Sequence, residues 1–277
     1  MMIYFQGEPG AFSEAAVVRY FPDAEPSGQE SFDAVFRRLA AEPGAMGLLP
    51  IENAYRGTVY DVLDLLTGSD LTIWAEVVQP VTLALLGLPG QRLSDIRRVR
   101  SHPQALMQSR SYWQGQGWHA EPALDTAGSA KDLARHRWPE VGAIASPRSA
   151  DIYGLVVLAA PIEDHADNRT RFWLLRDRPG PEPTWEVEGL KASLVFDAPD
   201  TPGSLVRVLE VFSRRSINLS KVETRPRPGH PFGFRFWLDA VVAPDQRARL
   251  EQAMTEAIAL VDWHRVLGYY PVAAYRP

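Results

Sequence analysis

Residues 176–189 read Arg-Asp-Arg-Pro-Gly-Pro-Glu-Pro-Thr-Trp-Glu-Val-Glu-Gly, and this stretch divides the chain. Proline fixes φ and has no N–H to donate, so three prolines in a polar stretch are incompatible with a helix interior or a central strand. The pattern is typical of a linker. We predict a linker over residues 179–189, a first domain over 1–178 and a second over 190–277, because 277 residues are enough for two hydrophobic cores.

The part after the linker follows the order βαββαβ. Apolar runs predict strands over residues 191–198, 217–224, 232–240 and 263–269. One helix is predicted after Asp200-Thr201-Pro202-Gly203 and a second around Leu250 and Met254, which recur at helical spacing. In the third strand, alternation predicts one buried face formed by Phe232, Phe234, Phe236 and Leu238. This order is typical of a ferredoxin-like α+β domain.

The part before the linker alternates short apolar runs with helical periodicity. Phe32, Val35, Phe36 and Leu39 recur at helical spacing, and a capping box of Ser27 and Glu30 precedes them. Residues 141–145 form a short buried strand, after which Pro147 opens a helix. Such alternation predicts an α/β domain with helices covering a mixed or parallel sheet.

Composition excludes several functional classes. A formal charge of −5 disfavours a general nucleic-acid binder, which usually has a basic surplus. The chain has no cysteine, so disulfides, thiolate metal sites and a cysteine nucleophile are excluded. The six histidines are scattered without metal-ligand spacing, and we expect no metal site. The first residues lack the basic segment and the following apolar segment of a signal peptide, so we expect a cytoplasmic protein.

Four polar segments are candidates for a site, although each also has a purely structural interpretation. Residues 7–13 join a strand to a helix, either as a simple turn or as a loop whose amides receive an anion. Ser101 is either a helix N-cap or a residue that hydrogen-bonds a ligand together with Gln108, which lies two turns further on. Thr126 and Ser129 are typical helix-start hydroxyls. Residues 168–172 form either a solvated strand edge or a cation beside a hydroxyl donor.

Taken together and in this order, the segments resemble the prephenate dehydratase family over essentially the whole chain. The matching segments are Gly7-Glu8-Pro9-Gly10-Ala11-Phe12-Ser13-Glu14, residues 49–59 (Leu-Pro-Ile-Glu-Asn-Ala-Tyr-Arg-Gly-Thr-Val), Ser101-His102-Pro103-Gln104-Ala105-Leu106, Asp125-Thr126-Ala127, Ala143-Ile144-Ala145-Ser146 with Tyr153-Gly154-Leu155, and Asn168-Arg169-Thr170-Arg171-Phe172. Ala54 and Asp125 stand where the family usually has serine. Asp125 therefore adds a negative charge near an anionic substrate.

The second domain resembles an ACT domain. Thr201-Pro202-Gly203-Ser204-Leu205 is similar to the start of the family's first helix, Ile217-Asn218-Leu219 to its second strand, and Glu223-Thr224-Arg225-Pro226 to its Glu-Ser-Arg-Pro motif. The resemblance implies that phenylalanine binds between paired ACT domains and inhibits the catalytic part. It implies an effector site formed by Pro202, Gly203, Ser204, Leu205, Asn218, Leu219 and Glu223.

For the catalytic part, the resemblance implies a two-lobed α/β fold like that of periplasmic binding proteins, with the active site in the cleft. We expect one lobe over about 1–76 and 160–178 and the other over about 77–159. The implied reaction converts prephenate to phenylpyruvate without a cofactor, in a homodimer or homotetramer. The site residues implied are Thr170 as hydrogen-bond donor to the leaving hydroxyl, Arg171 as carboxylate anchor, Asn53, Ser101 and Gln108 as neutral donors, and Thr126 and Phe172 as wall residues.

Two alternatives stay open at this stage. An arogenate dehydratase would perform the same chemistry on the aminated substrate. A non-catalytic amino-acid sensor would use the cleft and the ACT domain only to bind ligands, but it would have no need for Thr170-Arg171-Phe172.

Overall fold

The computed structural model describes residues 1–177 and 185–274, so most of the predicted linker lies outside the described residues. The chain forms two compact units, one of Met1–Leu65 with Val78–Phe172 and one of Leu66–Val77 with Trp173–Pro277. The strands are β1 (Met2–Gln6), β2 (Glu25–Gln29), β3 (Met46–Asn53), β4 (Gly57–Thr58), β5 (Thr72–Pro80), β6 (Ala84–Gly87), β7 (Arg98–Ser101), β8 (His119–Pro122), β9 (Val141–Ala145), β10 (Val156–Ala159), β11 (Arg169–Arg176), β12 (Val187–Asp197), β13 (Asn218–Pro226), β14 (Phe234–Val242) and β15 (Trp263–Ala273). The helices are α1 (Phe12–Tyr20), α2 (Phe32–Ala41), α3 (Tyr60–Thr67), α4 (Pro103–Gln108), α5 (Arg110–Gly115), α6 (Thr126–His136), α7 (Pro147–Tyr153), α8 (Ser204–Arg214) and α9 (Arg247–Ile258), with short 3₁₀ turns at Leu93–Asp95 and Pro244–Gln246.

The first lobe of the first unit is built on strands in the order β2–β1–β3, with β1 parallel to both neighbours. Helix α2 packs its predicted apolar stripe, which includes Val35 and Leu39, into the core. Its N-cap is Ser31, whose hydroxyl accepts a hydrogen bond from the Ala34 amide at 3.1 Å. The predicted capping box was therefore wrong, because Ser27 lies in strand β2.

The second lobe of the same unit carries a separate sheet in the order β10–β6–β9–β7–β8. Strand β7 runs parallel to β8 and β9, whereas β6 is antiparallel to β9 and β10. Apolar clusters cover both faces of this sheet, one including Leu85, Val99 and Ile144 and the other Leu86 and Leu133. Two α/β lobes, each built on its own sheet, confirm the fold predicted for the catalytic part.

The second unit contains the βαββαβ element order β12–α8–β13–β14–α9–β15, which confirms the ferredoxin-like prediction. The sheet order is β13–β14–β12–β15, and β12 is antiparallel to both neighbours. Helices α8 and α9 contribute to one core with Leu194, Phe212 and Met254. Strand β12 begins at Val187, four residues earlier than predicted and inside the stretch predicted as linker.

One detail of this unit was predicted incorrectly. Phe232 is 98% exposed and has a left-handed φ of 63°, and it precedes strand β14, which begins at Phe234. Phe234 is exposed as well. The Arg227 amide donates to the Gly233 carbonyl at 2.9 Å and closes a loop, so the alternating pattern does not extend through Phe232.

The second unit also contains buried polar groups. The Lys191 ammonium lies 2.5 Å from a Glu76 carboxylate oxygen, and the other oxygen accepts from the Trp173 indole N–H at 3.1 Å. Nearby on β12, the Ser193 hydroxyl donates to Asp239 at 2.6 Å. A buried charge is tolerated only when it is paired and hydrogen-bonded, so the Lys191–Glu76 pair is strongly interdependent.

Strand β15 of this unit holds the segment 66–77. The Arg265 guanidinium donates to the carbonyls of Leu66 at 2.8 Å, Thr67 at 3.0 Å and Leu71 at 2.7 Å. Gly268 lies so close to strand β5 that a Cβ at this position would be 2.4 Å from the Ile73 carbonyl oxygen. These contacts fix the backbone of the segment, in addition to the ion pair between the Glu76 side chain and Lys191.

Candidate active site

A cavity of about 500 Å³ lies in the first unit and is lined by residues of both lobes. Its volume is in the range of small-molecule sites. The lining residues are Gln6, Gly7, Ala11, Phe12, Ser13, Glu30, Ser31, Phe32, Pro50, Asn53, Val59, Val81, Leu83, His102, Gln104, Ala105, Gln108, Leu124, Asp125, Thr126, Thr170 and Phe172. Glu30 and Asp125 are the charged members of this lining, which contains no lysine or arginine among the described residues.

Helix N-termini supply positive potential to this cavity. The starts of α1, α2, α4 and α6 all contribute lining residues. Unpaired amides and the helix dipole make such ends favourable for anions. At α1 the N-cap is Ala11, whose side chain has no acceptor to occupy the first-turn amides. The Glu14 carboxylate in this first turn is already occupied by the Gly10 amide at 2.7 Å and by Arg148 at 3.3 Å. The helix start is therefore suited to receive a ligand carboxylate.

Asn53 is the central polar residue of the site and is buried at the end of β3. Its side-chain amide nitrogen lies 2.8 Å from Asn168 Oδ1, 3.0 Å from the Arg169 carbonyl and 3.1 Å from Thr170 Oγ1. Its Oδ1 accepts from the amides of Tyr55 and Arg56, which fixes the orientation of the side chain. Because Thr170 accepts a hydrogen bond from Asn53, its own hydroxyl proton is available to a ligand.

The donor to Thr170 also changes the chemistry of that hydroxyl. A hydrogen bond received by an oxygen makes the same group a better donor, because the two bonds polarise each other in a low-dielectric site. Gln108 extends the arrangement, with its Nε2 at 3.4 Å from Asn53 Oδ1. Phe172 adds a buried apolar wall. The structure thus brings together five of the predicted site residues: Asn53, Gln108, Thr126, Thr170 and Phe172.

Two predicted site residues are not part of the cavity lining. Ser101 is fully buried at the end of β7 and donates its hydroxyl to the Ile144 carbonyl at 2.6 Å. Arg171 pairs with Glu52, with 2.9 Å between Nη1 and Oε2. Successive side chains of a strand point to opposite faces, so Arg171 faces away from the side that carries its neighbours in β11. The roles assigned to both residues stay predictions without a ligand-facing contact in this structure.

The sequence interpretation did not identify two lining residues, His102 and Asp125, as helix N-caps. His102, not Ser101, is the N-cap of α4, and its Nδ1 accepts from the Gln104 amide at 3.2 Å. Burial lowers the pKa of His102, although the charge of Asp125 acts in the opposite direction. The imidazole is therefore neutral at pH 7, with its proton on Nε2. A Pro103 at the first helical position was the available signal, since the residue before it is the N-cap.

Asp125 is the N-cap of α6, where its carboxylate accepts from the Gly128 amide. Thr126 and Ser129, which the sequence suggested as capping hydroxyls, lie inside the helix instead. The Ser129 hydroxyl donates to the Asp125 carbonyl at 2.8 Å. The negative charge expected from this position is thus present at the cavity wall.

The loop before α1 is fastened to the second lobe. The Gly10 carbonyl accepts hydrogen bonds from the hydroxyls of Ser146 at 2.6 Å and Ser149 at 3.2 Å. The Tyr153 hydroxyl donates to the Pro9 carbonyl at 2.7 Å, and burial together with nearby carboxylates raises the pKa of Tyr153 to about 12. Gly10 has a φ of 93°, and a Cβ there would be 2.5 Å from Ser149 Oγ. The Gly-Ala-Phe segment requires glycine for this contact.

The predicted effector residues lie on two elements of the second unit. Gly203 is the N-cap of α8 with a left-handed φ of 81°, beside Pro202 and the first helical residues Ser204 and Leu205. Asn218, Leu219 and Glu223 lie on β13, which is the edge strand of its sheet. Alternate residues of this strand are exposed.

Across the described residues, no group of three histidine, aspartate or glutamate side chains is arranged to hold a metal ion. None of the described helices combines the length and apolar character needed to cross a bilayer.

Comparison with known proteins adds independent information. Residues 3–180 match the family model described as "Prephenate dehydratase", and residues 192–255 match the one described as "ACT domain". The chain is 38% identical over 288 residues to "Arogenate dehydratase/prephenate dehydratase 1, chloroplastic" of Arabidopsis thaliana, an alignment that covers 99% of this chain and 73% of that protein.

Two solved structures share the fold over nearly the whole chain. A prephenate dehydratase from Arthrobacter aurescens in complex with L-Phe has a TM-score of 0.86 at 33% identity and covers 98% of this chain and 89% of that one. A protein named GqqA, described as a novel type of quorum quenching acylase, has a TM-score of 0.87 at 29% identity and covers 99% of this chain and 98% of that one.

Proposed function

The chain belongs to the prephenate dehydratase family, and from this premise we propose that it converts prephenate to phenylpyruvate under feedback control by L-phenylalanine. The carrying observation is the hydrogen bond from the Asn53 amide to Thr170 Oγ1 at 3.1 Å, at the wall of the cavity. This contact leaves a polarised hydroxyl proton for the substrate. The reaction needs such a donor, because a hydroxide is a poor leaving group.

Prephenate loses carbon dioxide and hydroxide together and gains an aromatic ring, so the driving force resides in the substrate. The protein must orient two carboxylates and assist the departing hydroxyl. Thr170 donates a hydrogen bond that strengthens as negative charge develops on the leaving oxygen. A threonine hydroxyl is a weak acid, so the assistance is a tightening hydrogen bond rather than a complete proton transfer before the bond breaks.

A lining without lysine or arginine among the described residues suits the decarboxylation. A fixed cation beside the departing carboxylate would stabilise the ground state more than the transition state and would slow the reaction. The cavity instead offers helix starts and neutral amides, with the first turn of α1 at Ala11 as the favoured carboxylate site. Gln108 and Thr126 provide further neutral donors. No cofactor takes part in the proposed chemistry.

Regulation is assigned to the second unit. We assign phenylalanine binding to the start of α8 and to β13, residues 202–205 with Asn218, Leu219 and Glu223. Strand β13 is a sheet edge whose alternate residues are exposed, and unpaired edges favour pairing with another chain. We therefore propose a homodimer or homotetramer in which the effector is enclosed between two copies. Cytoplasmic location is part of the same proposal.

The decisive experiment measures phenylpyruvate formation from prephenate with and without phenylalanine. We expect turnover that requires Thr170 and falls as phenylalanine is added. A folded chain that binds phenylalanine but has no measurable dehydratase activity would instead support the amino-acid sensor. Arogenate is assayed in parallel, because the curated relative quoted above is named for both substrates.

The likeness to the acylase calls for a control. Hydrolysis of an acylated quorum signal by a covalent route requires a nucleophile hydrogen-bonded to a base. Ser31 and His102 line the cavity, but each accepts from a backbone amide at a helix start, at 3.1 Å and 3.2 Å. An amide-hydrolysis rate that exceeds the dehydratase rate would overturn the proposed function.

A further inference from the structure

We propose that the Asp125 carboxylate selects between two substrates of this site, favouring the form that carries an ammonium where prephenate carries a keto oxygen. This aminated form is arogenate. The inference rests on the proposed function, because it concerns the same cavity and the same reaction. It assigns Asp125 a role in specificity, separate from the roles of Asn53 and Thr170.

The helix starts around the cavity differ in how they are capped. At α2 and α4 the caps are the neutral groups of Ser31 and His102, and at α1 Ala11 offers no side-chain acceptor. At α6 the cap is the carboxylate of Asp125. A neutral cap or none leaves the helix end attractive to anions, whereas a carboxylate cap reverses the local charge. Glu14 in the first turn of α1 and Asp33 in that of α2 also carry carboxylates, but Arg148 and Arg37 pair with them. Among the described residues, Asp125 is thus the carboxylate at these helix starts that has no lysine or arginine partner.

This combination matches a zwitterionic amino-acid group. Prephenate presents a carboxylate beside a neutral keto group, and arogenate presents the same carboxylate beside an ammonium. The carboxylate of either substrate is satisfied by a helix start without a carboxylate cap. The ammonium of arogenate gains an attraction at Asp125 that the keto group lacks, and this attraction offsets the repulsion that the carboxylates of either substrate meet there.

The Asp125 carboxylate lies at the cavity wall as an N-cap. In the described part of the chain no lysine or arginine pairs with its carboxylate, and its hydrogen-bond partner is the Gly128 amide. The cap occupies one carboxylate oxygen, and an ionised carboxylate can accept about four hydrogen bonds. His102, which also lines the cavity, adds no charge at neutral pH because burial lowers its pKa.

Glu30 is the other carboxylate of the lining and provides the matched control. Its side chain is 84% exposed, and Arg37 lies 3.8 Å away. Solvent and a neighbouring cation screen its field, whereas Asp125 is half-buried. Removing the same formal charge at the two positions should therefore have unequal effects on substrate choice.

The test compares kcat/KM for arogenate and prephenate in the wild type, Asp125→Asn, Asp125→Ser and Glu30→Gln. Asparagine and serine both keep the N-cap acceptor, so α6 and the fold are preserved. We expect each Asp125 variant to lower kcat/KM for arogenate by about 10-fold or more, mainly through KM, since a hydrogen bond to a charged group is lost. We expect prephenate kcat/KM to rise in both, and Glu30→Gln to change the ratio less than about threefold.

The outcomes distinguish failure of the Asp125 role from failure of the proposed function. A ratio that stays within threefold in both Asp125 variants, with prephenate still converted, overturns the role of Asp125 and leaves the proposed function intact. An equal change with Glu30→Gln also overturns it, because the effect is then the net charge of the cavity. A folded wild type that converts neither substrate overturns the proposed function and this inference together. Circular dichroism melting of all variants verifies the fold.

Discussion

Replacing Thr170 with valine tests the chemistry of the site with a minimal change of shape. Valine substitutes a methyl group for the hydroxyl and keeps the β-branched form suited to strand β11. The change removes the acceptor of the 3.1 Å hydrogen bond from Asn53. It also removes the proposed hydrogen-bond donor to the leaving hydroxyl.

The expected magnitudes follow from these two losses. Loss of one preorganised transition-state hydrogen bond lowers kcat by about 10²- to 10³-fold. The free energy of unfolding should fall by only about 1 kcal/mol, because the Asn53 amide keeps its contacts with Asn168 and with the Arg169 carbonyl. Activity and stability are therefore expected to separate clearly in this variant.

The assay is single-substrate turnover of prephenate, followed as phenylpyruvate formation, together with urea denaturation of the same preparations. Thr170→Ser is the control, because it restores the hydroxyl without the methyl group and should retain activity within about 10-fold of the wild type. A folded Thr170→Val protein with kcat within threefold of the wild type would refute the assignment. A serine variant as inactive as the valine variant would show that packing, rather than the hydroxyl, is required.

Three further predictions concern other parts of the chain. Lys191→Met should lower the free energy of unfolding by about 3–5 kcal/mol in urea denaturation, because the buried Glu76 carboxylate loses the ammonium group that lies 2.5 Å from it. Glu223→Ala should raise the phenylalanine concentration needed for half-inhibition, and the prephenate rate without phenylalanine should be mostly retained. Gly203→Pro should have the same effect, because proline cannot adopt the φ of 81° at this position. Acidification from pH 7.5 to 5.5 should destabilise the wild type more than His102→Asn, as measured by thermal melting.

Each of these predictions has a contrary outcome. Adding Glu76→Leu to Lys191→Met should recover much of the lost stability, and no recovery would contradict a charge-based cause. Unchanged inhibition curves in both effector-site variants would remove the phenylalanine site from this region. For His102, the folded-state pKa lies below its ordinary value of 6.5, so the unfolded chain binds the proton first and stability falls with the pH below about 6.5. Asparagine keeps the cap without titrating, and equal acid sensitivity of the two proteins would exclude this histidine as a source.

The element order of both units could be predicted from the sequence, because hydrophobic periodicity and proline positions report on local structure. The helix beginning at Pro103, the strand over residues 141–145 and the whole βαββαβ order depend on such signals. Phe232 is an exception to the alternating pattern. Its apolar side chain continues the alternation, but the loop closed by the Arg227 amide takes it out of the strand.

Five of the predicted catalytic residues line one cavity, but the contacts that join them could not be predicted from the sequence. Asn53 and Asn168 are 115 positions apart, and no local pattern indicates that their side chains meet at 2.8 Å. The position of Arg171 was predictable in principle. Once Thr170 and Phe172 are placed on one face of a strand, the residue between them must lie on the other.

The contacts of Arg265 have a consequence for the evolution and engineering of this chain. Segment 66–77 lies far before the linker in the sequence. Three of its own backbone carbonyls nevertheless accept hydrogen bonds from the Arg265 guanidinium of the last strand. The two modules therefore cannot be separated by cutting the chain at the linker alone. A chain ended before residue 190 would leave those carbonyls without their donor and would present strand β5 as an open edge, prone to self-association. Exchange of regulatory modules between relatives would have to carry residues 66–77 along with the C-terminal part.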